Sequence, residues 1–327
     1  MTEGRFADAF TQAAWPGADE GTGNYRPIVL VSLALEWSLW GEAPFGYHVV
    51  NVVAHVVACL LVLLLLGNFV SLEAASVGAL LFAIHPLHTE AVANVMGRAE
   101  LYAACAYLGA CLLYLRSVSP SPGPRAGRLL GILFLFAVAV GSKEIAVTLP
   151  AMVIALEIYR AADRPLSARL RDEAATFVAL FALLGCYVIV RWNAVGDVAG
   201  EGAAAGLITL DTTSRILSAL TVWPHYLRLM VFPLDLSADY SPGVLVPTST
   251  IDLDVVVGGL LLLGTAAGAL ILGMVRGGGR VLGLAFAWFL IAISPVSNLL
   301  VRADILLAER TLYLPSVALS LAAAGAT

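Results

Sequence analysis

The segment GYHVVNVVAHVVACLLVLLLL, residues 46–66, decides the fold class of this chain. It contains no Asp, Glu, Lys or Arg, and a helix of about 20 such residues is long enough to cross the hydrocarbon core of a bilayer. Its apolar residues are continuous rather than alternating, which favours a helix over a strand of a membrane barrel. The segment therefore predicts an all-α membrane protein.

The whole chain has the composition of a polytopic membrane protein. Of its 327 residues, 60% are hydrophobic and 13% are charged, whereas a soluble domain is about 45–50% apolar and about 25% charged. Because a backbone in lipid must satisfy its own hydrogen bonds, we predict a helical bundle. We expect about nine spans plus interfacial helices, with the spans near 46–66, 74–88, 99–117, 128–141, 144–161, 173–191, 253–275, 280–297 and 307–325.

The distribution of arginine predicts which loops face the cytoplasm. Arginines cluster after the third, fifth and seventh predicted spans, and the positive-inside rule places these three loops in the cytoplasm. The loops that then face outward are 85–100, 142–144, 192–252 and 297–309. Four of the five histidines and the only lysine lie on that side, which predicts a functional site that opens to the extracytoplasmic space.

Two regions outside the regular spans are expected to lie at the outer side of the membrane. Residues 1–45 are predicted to be an extracytoplasmic loop with an interfacial helix, and residues 46–327 to be the helical bundle. Within the bundle, 192–252 is predicted to be an extracytoplasmic loop with a re-entrant helix. A proline, a histidine and an arginine interrupt the apolar stretch of that loop, and both of its ends emerge on the same side.

The sequence argues against several classes of function. The net charge of −5 and the lack of a basic stripe argue against nucleic acid as a partner. The four cysteines lie inside apolar stretches without CxxC spacing, so they indicate neither a disulfide framework nor a zinc site. No Walker A, GxGxxG or GxSxG motif supports nucleotide-driven transport or serine-hydrolase chemistry.

The motif His85-Pro-Leu-His88-Thr-Glu90, followed by Arg98 and Glu100, places ionisable residues at the mouth of the predicted bundle. Such residues at a membrane edge indicate a functional site unless they are paired or wetted. One interpretation is a polar pocket in which His85 or His88 donates to a phosphate and Glu90 orients it. A divalent metal site is the weaker interpretation, because HExxH is absent. Arg98 and Glu100 also suit a simple ion pair at a helix start.

Residues near the amino-terminal end have both a functional and a structural interpretation. Arg26 suits an anionic ligand, but before a proline at the first helical position it also suits snorkelling to lipid head groups. His48, Asn51 and His55 share one helix face. We expect hydrogen bonds between helices for Asn51 and His55, and both interpretations stay open for His48.

Ser142-Lys143-Glu144 is a predicted tight turn between two spans. We expect Ser142 to cap the following helix and Glu144 to lie at the positive end of that helix. Lys143 is the only lysine of the chain. A cation beside a helix N-terminus predicts an anion-binding site at this turn.

The later outward loops add four candidates. Asp239 is either a functional acid or a turn residue in a proline-flanked loop. Arg302 and Arg310 suit a phosphate head group at the membrane edge, or else anchor the protein surface. Glu309 precedes Arg310 and is a supporting candidate.

Taken in order, these motifs resemble the transmembrane and tetratricopeptide-repeat protein family. Its animal members are O-mannosyltransferases of the endoplasmic reticulum with a GT-C membrane fold. The resemblance covers nearly the whole chain and rests on the joint order of the motifs. They are YRP (25–27), PFGYHVVN (44–51), HPLHTE (85–90), GRAE (97–100), SKE (142–144), LSADY (236–240), SPVSN (294–298) and AERTLY (308–313).

The resemblance implies a GT-C glycosyltransferase-like fold and the transfer of a sugar, above all mannose, from a polyprenyl-phosphate donor to a protein Ser or Thr hydroxyl on the extracytoplasmic face. The implied partners are this lipid-phosphate sugar, an acceptor protein or peptide and membrane lipids, without a cofactor or a metal. Cations should stabilise the leaving phosphate, and an acid should take the acceptor proton.

The resemblance also assigns roles to the candidate residues. The expected acids are Glu90, Glu100 and Asp239. The expected phosphate ligands are His85, His88, Arg98, Lys143, Arg302 and Arg310, and the expected supporting residues are Arg26, His48, Glu144 and Glu309.

The resemblance also implies parts that this sequence does not contain. We expect a further span followed by an Asp upstream of Met1, and tetratricopeptide repeats after the membrane domain, so we do not expect activity from the chain alone. The preference for arginine over lysine suggests a bacterial protein of the inner membrane, with the endoplasmic reticulum as the location if the protein is eukaryotic. The alternative function is a non-enzymatic membrane scaffold, or a protein that binds or transports lipid-linked sugar.

Overall fold

The computed structural model describes residues 24–117, 125–160, 165–196, 210–237, 239–240, 245–275, 277–303 and 305–327. Within these ranges the chain is helical and contains no strand, which confirms the all-α prediction. The helices are α1 (Pro27–Trp40), α2 (Pro44–Leu66), α3 (Leu72–Ile84), α4 (Thr89–Ala93), α5 (Arg98–Ser117), α6 (Arg125–Val140), α7 (Leu149–Tyr159), α8 (Leu166–Asp172), α9 (Ala174–Val195), α10 (Thr212–Thr221), α11 (Trp223–Val231), α12 (Leu253–Gly273), α13 (Gly278–Ile293) and α14 (Val317–Ala326). Short 3-10 turns at Pro86–His88, Val95–Gly97, Glu144–Thr148 and Glu309–Leu312 join some of them.

Among the described helices, α2, α9 and α12 are long and apolar enough to cross a membrane. The other predicted spans contain helices too, but most of these are short, and about nine spans are not confirmed. Pro86, Pro150 and Pro315 lie where the second, fifth and ninth predicted spans divide into a helix and a 3-10 turn. A proline lacks the backbone N–H and clashes with the preceding turn, so it interrupts a helix that the apolar pattern alone would continue.

The stretch predicted to be re-entrant consists of two amphipathic helices. α10 ends at Thr221 and α11 begins at Trp223, with Pro224 in the first turn of α11. Tyr226 and Leu229 of α11 are buried, whereas Leu227 is half exposed. Both helices pack against α12, and the position of this region relative to a membrane stays a prediction.

The helix predicted at the amino-terminal interface is α1, and Pro27 occupies its first turn as expected. α1 packs against α2 and α5. On its outer face Trp37 and Leu39 are more than half exposed, as suits a helix at the level of the lipid head groups. The first 23 residues of the predicted loop 1–45 lie outside the described part of the chain.

The core lies between helices from both ends of the chain. α14 packs against α3 and α13, and α5 packs against α2 and α6. Trp288 of α13 is fully buried, its ring centroid lies 6.0 Å from that of Tyr107, and its indole N–H donates to the carbonyl of Leu314 at 3.0 Å. This packing holds the loops after α6 and after α13 at the same end of the bundle as the start of α1.

Near the carboxy-terminal end of α7, Glu157 forms an ion cluster that the sequence analysis did not single out. Its carboxylate is fully buried and accepts from Arg160 Nε at 2.8 Å, from Arg169 Nη1 at 2.9 Å and from the Tyr114 hydroxyl at 2.6 Å. Arg169 Nη1 also donates to the Glu157 carbonyl at 2.7 Å. These bonds fasten α8 and α5 to the end of α7. We call this group the closed cluster.

Candidate functional site

A cavity of about 410 Å³ opens between the start of α1, the turn before α7, the carboxy-terminal half of α9, the loop after α13 and the last 3-10 turn. Of the described residues that line it, five are basic and one is acidic. These are Arg26, Lys143, Arg191, Arg302, Arg310 and Glu144. An excess of fixed cations in a walled cavity favours an anionic ligand.

One wall of the cavity is apolar. Leu184 and Val188 lie one to two helical turns before Arg191 on α9, and Val147 and Val296 face the same space. A cavity with cations at one side and aliphatic side chains at the other suits a ligand with an anionic group and an apolar part.

Glu144 lies between two arginines at the cavity wall. Its carboxylate oxygens lie 3.1 Å from Arg26 Nη2 and 3.3 Å from Arg191 Nη1. Burial by itself would raise the pKa of Glu144, but the charges of Arg26, Lys143 and Arg191 lower it to about 2. The carboxylate is therefore ionised at neutral pH and is a weak proton acceptor. Arg26, for which ligand binding and snorkelling were the two predicted roles, instead reaches back to this carboxylate.

Lys143 lines the cavity and also forms an ion pair with α5. Its Nζ lies 2.8 Å from a carboxylate oxygen of Glu100, and both side chains are more than nine-tenths buried. The prediction that Ser142 caps the following helix is wrong, because its hydroxyl donates back to the Val138 carbonyl at 2.7 Å. The residue at the N-cap position of the following 3-10 turn is Lys143, and that turn has no side-chain cap.

Arg310 and Glu309 are adjacent in the sequence but contact different parts of the protein. The Arg310 guanidinium lines the cavity and pairs with Glu90, whose other oxygen accepts from the Arg310 backbone N–H at 2.8 Å. Glu309 is buried and accepts from the Ser237 backbone N–H at 2.6 Å and from the Tyr240 hydroxyl at 2.7 Å. The 3-10 turn thus holds the loop after α11 with one residue and presents a cation with the next.

The loop that carries Arg302 is shaped by Asn298. Asn298 has φ of 59°, a left-handed conformation that few side chains adopt without cost. Its side chain accepts from the Ala303 N–H at 2.8 Å and donates to the Ile305 carbonyl at 2.9 Å. Arg302 itself donates to the Leu210 carbonyl at 3.3 Å and lines the cavity.

The histidine motif folds away from the cavity. His85 Nδ1 accepts from the Leu87 N–H at 3.3 Å, which leaves Nε2–H to donate to the Met230 carbonyl at 2.9 Å. Burial lowers the pKa of His85, so the ring is neutral at pH 7. Among the described residues, no group of His, Cys, Asp and Glu has the geometry to hold a metal ion.

His88 and His55 belong to a buried aromatic cluster with Phe82 and Tyr313. His88 Nε2 lies 2.9 Å from the Ser316 hydroxyl oxygen, and His55 Nδ1 lies 2.7 Å from the Tyr313 hydroxyl oxygen. The His55 bond joins α2 to the region before α14, as expected, and the His88 bond joins the 3-10 turn after α3 to the same region. The side-chain amide of Asn51 likewise donates to the carbonyls of Val92 and Asn94 at the end of α4, whereas His48 is exposed.

Arg98 is fully buried, away from the cavity. It pairs with Glu36 of α1 and also donates to the carbonyls of Val95 and Tyr47. The expected pair of Arg98 with Glu100 does not form, because Glu100 faces Lys143 instead. Asp239 is exposed, and it does not line the cavity either.

Arg191 is the cavity residue that the sequence analysis missed. It lies at the end of α9, where the charge distribution predicts an extracytoplasmic end. An arginine at that end runs against the positive-inside bias, and this exception was the available signal. Tyr187, one turn earlier on α9, lines the same cavity.

Comparison with known proteins finds relatives among animal transferases. The chain is 33% identical over 248 residues to a Drosophila melanogaster protein named protein O-mannosyl-transferase Tmtc2. It is 28% identical over 321 residues to the Mus musculus protein O-mannosyl-transferase TMTC3 and 30% identical over 306 residues to the Caenorhabditis elegans protein O-mannosyl-transferase F38B6.6. No protein-family model matches the chain. No solved structure matches it.

The three alignments cover 72%, 90% and 90% of this chain, but only 26%, 34% and 41% of the relatives. The chain therefore spans between about a quarter and two fifths of the length of these curated relatives. Its homologues are protein O-mannosyl-transferases, which supports the resemblance seen in the motifs. These relatives are eukaryotic, and a bacterial origin stays a prediction.

Proposed function

We propose that this chain belongs to the protein O-mannosyl-transferase family of its relatives and forms the donor-binding membrane part of such an enzyme. In the proposed reaction mannose passes from a polyprenyl phosphate to a Ser or Thr hydroxyl of a protein, on the extracytoplasmic side of the membrane. The observation that carries the proposal is the cavity with five basic residues and an apolar wall, in a chain homologous to protein O-mannosyl-transferases.

The proposed donor has an anionic phosphate and an apolar lipid chain, which match the basic side and the aliphatic wall of the cavity. Its phosphate lies among Arg191, Arg302 and Lys143, and its lipid chain begins along Leu184 and Val188. Cations that are already in place stabilise the charge that develops on the phosphate as the sugar leaves. We assign no phosphate contact to His85, His88 or Arg98, since none of them lines the cavity.

In this proposal two of the predicted acids, Glu90 and Glu100, position cations of the cavity. Glu90 holds Arg310 and Glu100 holds Lys143, so each orients one cation of the cavity. Asp239 stays a candidate for the acceptor side. The lipid donor, the acceptor class and the cellular membrane are all part of the proposal.

The test is transfer of radiolabelled mannose from polyprenyl-phosphate mannose to membrane protein, using the full-length protein that contains this chain. Arg191→Gln and Arg302→Gln should each reduce the label at least about tenfold, because each removes a charged hydrogen bond to the phosphate. Arg228→Gln is the matched control. Arg228 pairs with Asp235 at 3.7 Å, outside the cavity. Label that survives the loss of both cavity arginines would place the phosphate elsewhere.

A protein that binds a lipid phosphate without turning it over is the second candidate. One observation favours it: Glu144 is the only carboxylate among the described cavity residues, and its pKa of about 2 is too low for an efficient general base. Donor binding without any transfer by the full-length protein would select this candidate.

A further inference from the structure

We propose that a second cavity of the bundle binds an ester-linked acyl chain of a membrane lipid, with the ester carbonyl accepting a hydrogen bond from the indole N–H of Trp223. This cavity has a volume of about 180 Å³ and is lined by α11, α12, α13 and α14. Among the described residues, none lines both this cavity and the basic one. A lipid site here is therefore independent of the proposed function.

Three buried aromatic rings form part of the cavity wall, those of Trp223, Tyr226 and Phe289. Their ring centroids lie 5.6–6.2 Å apart, and their planes cross at 73–84°. This is the edge-to-face arrangement that aromatic pairs prefer. Because the rings support one another, a ligand enters a space that is already formed and does not have to open one.

The cavity opens on the outer surface of the bundle. Leu227 and Val231 of α11 also line it, and they are 51% and 47% exposed, while Phe286 of α13 is 38% exposed. An exposed apolar surface on a helical membrane protein is the surface that contacts lipid chains. Lipid is therefore the kind of molecule that has direct access to this cavity.

The indole N–H of Trp223 is a polar group that the described part of the protein leaves unsatisfied. Trp223 is buried, and its Nε1 has no hydrogen-bond partner among the described residues. An indole N–H can only donate, and a buried donor without an acceptor costs free energy that a bound acceptor would recover. The hydroxyl of Thr265, also in the wall, already donates to the Leu261 carbonyl at 2.7 Å. The occupant should therefore bring an acceptor oxygen for Trp223.

The acceptor oxygen should belong to a neutral group. None of the described residues that line this cavity is charged, so a carboxylate or phosphate inside it would be buried without a counter-ion. An ester carbonyl is neutral and is bonded directly to a hydrocarbon chain. The polyprenyl chain of the proposed donor has no oxygen apart from its phosphate end, so it cannot satisfy Trp223.

The volume of the cavity suits a segment of a chain. Since an apolar cavity of about 150 Å³ holds benzene, a cavity of about 180 Å³ has room for about six to eight carbon atoms. The fused rings of a sterol are larger than this space. An acyl chain can place its first carbons in the cavity and its remaining carbons along the exposed residues of α11.

Photolabelling of the full-length protein that contains this chain tests the proposal. The probe is a phosphatidylcholine with a diazirine on an acyl carbon close to the ester, added in detergent micelles, and peptide mass spectrometry locates the label. We expect label on α11 and α13. A diester phosphatidylcholine should displace the probe at an about fivefold lower concentration than the diether of the same chain length, because the diether lacks the carbonyl.

Three results of this experiment would overturn the proposal. The first is equal displacement by the diester and the diether. The second is label spread evenly over the exposed faces of α2, α9 and α12. The third is stronger displacement by a polyprenyl phosphate than by the diester, which would assign the cavity to the chain of the sugar donor.

Variants separate the hydrogen bond from the shape of the cavity. Trp223→Phe removes the N–H and keeps an aromatic ring, so it should remove the preference for the diester while the label remains. Trp37→Phe, at an exposed position of α1, is the matched control and should keep the preference. Ala322→Phe adds a ring to the cavity wall and should reduce the label several-fold, whereas Leu263→Phe on the exposed face of α12 should not. A preference that survives Trp223→Phe in a folded protein would contradict the assigned hydrogen bond.

Discussion

The segment that includes α7 holds a glutamate between two arginines at each end, and of these two glutamates Glu144 is the one among the described residues that line the 410 Å³ cavity. Glu157 has a tyrosine and two arginines packed around it in the closed cluster. Glu144, roughly 20 Å away along the helix, faces a space of about 410 Å³ between Arg26 and Arg191. The cluster around Glu157 thus holds helices together, whereas the similar cluster around Glu144 forms part of the candidate site.

A candidate binding site and a structural ion pair differ in how their charges are balanced and enclosed. In the closed cluster both carboxylate oxygens accept hydrogen bonds from protein side chains, and the Glu157 side chain is fully buried. At the open end the cations outnumber the carboxylates among the described residues, and they border a cavity. A surplus of charge beside a cavity, rather than burial of charge, therefore indicates ligand binding.

The largest expected effect is on stability at the closed end. Glu157→Gln should lower the free energy of unfolding by about 3–5 kcal/mol, because it leaves the buried Arg169 guanidinium and the partly exposed Arg160 guanidinium without this counter-ion. The matched change Glu144→Gln should cost much less, since its arginines can turn to the cavity. Unfolding of both variants in detergent measures the difference, and equal losses would remove the distinction between the two ends.

The next effect is on ligand affinity at the open end. Arg191→Gln should weaken binding of a polyprenyl phosphate about tenfold or more, through the loss of a charge-assisted contact. The corresponding change in the closed cluster, Arg169→Gln, should reduce stability without changing the affinity of the protein that remains folded. Calorimetric titration of both folded proteins checks this, and a similar loss of affinity in both would break the comparison.

A smaller effect concerns the loop that presents Arg302. Asn298→Ala should destabilise the protein by about 1 kcal/mol more than Asn298→Gly, because alanine, unlike glycine, is strained at this positive φ. Both variants lose the two side-chain hydrogen bonds that close the loop, so both should bind phosphate less tightly. Unfolding and titration of the pair separate the two contributions. An alanine variant as stable as the glycine variant would show that the loop relaxes.

The smallest expected effect is a change in stability at acidic pH. Because the pKa of Glu144 is about 2, against an ordinary value of 4.5, its contribution to stability is present above pH 4.5 and is lost as the pH falls toward 2. The stability difference between the parent protein and Glu144→Gln should therefore be constant from pH 7 to 5 and shrink below that. Unfolding at several pH values measures it, and a difference that shrinks between pH 7 and 5 would contradict the lowered pKa.

Much of the fold was predictable because it depends on local patterns. Long apolar runs predicted the helices, and Pro27 predicted the start of α1. The lengths of the spans were less predictable, since Pro86 and Pro150 divide apolar stretches into shorter pieces. The sequence also predicted that Lys143, Arg302 and Arg310 belong to one face, and they do line one cavity.

The histidine motif and Arg98 show what local reasoning could not predict. His85 and His88 were expected to bind phosphate, but their ring nitrogens bond neighbouring elements of the bundle. Arg98 was assigned to the same site, and it pairs with Glu36, a residue 62 positions earlier. A charged residue near a helix end takes the nearest opposite charge in space, and the sequence does not state which residue that is.

The apolar pattern of the chain is enough to predict a helical membrane protein with its cations gathered on one predicted face, because the hydrophobic effect and the backbone hydrogen bonds act on short stretches of chain. Which of these cations share a space depends on how the helices pack. Arg26 and Glu144 are 118 residues apart in the sequence, and Glu90 and Arg310 are 220 residues apart. Such pairs form only when their helices pack, so the packing of the bundle separates an open site from a closed cluster that looks alike in sequence.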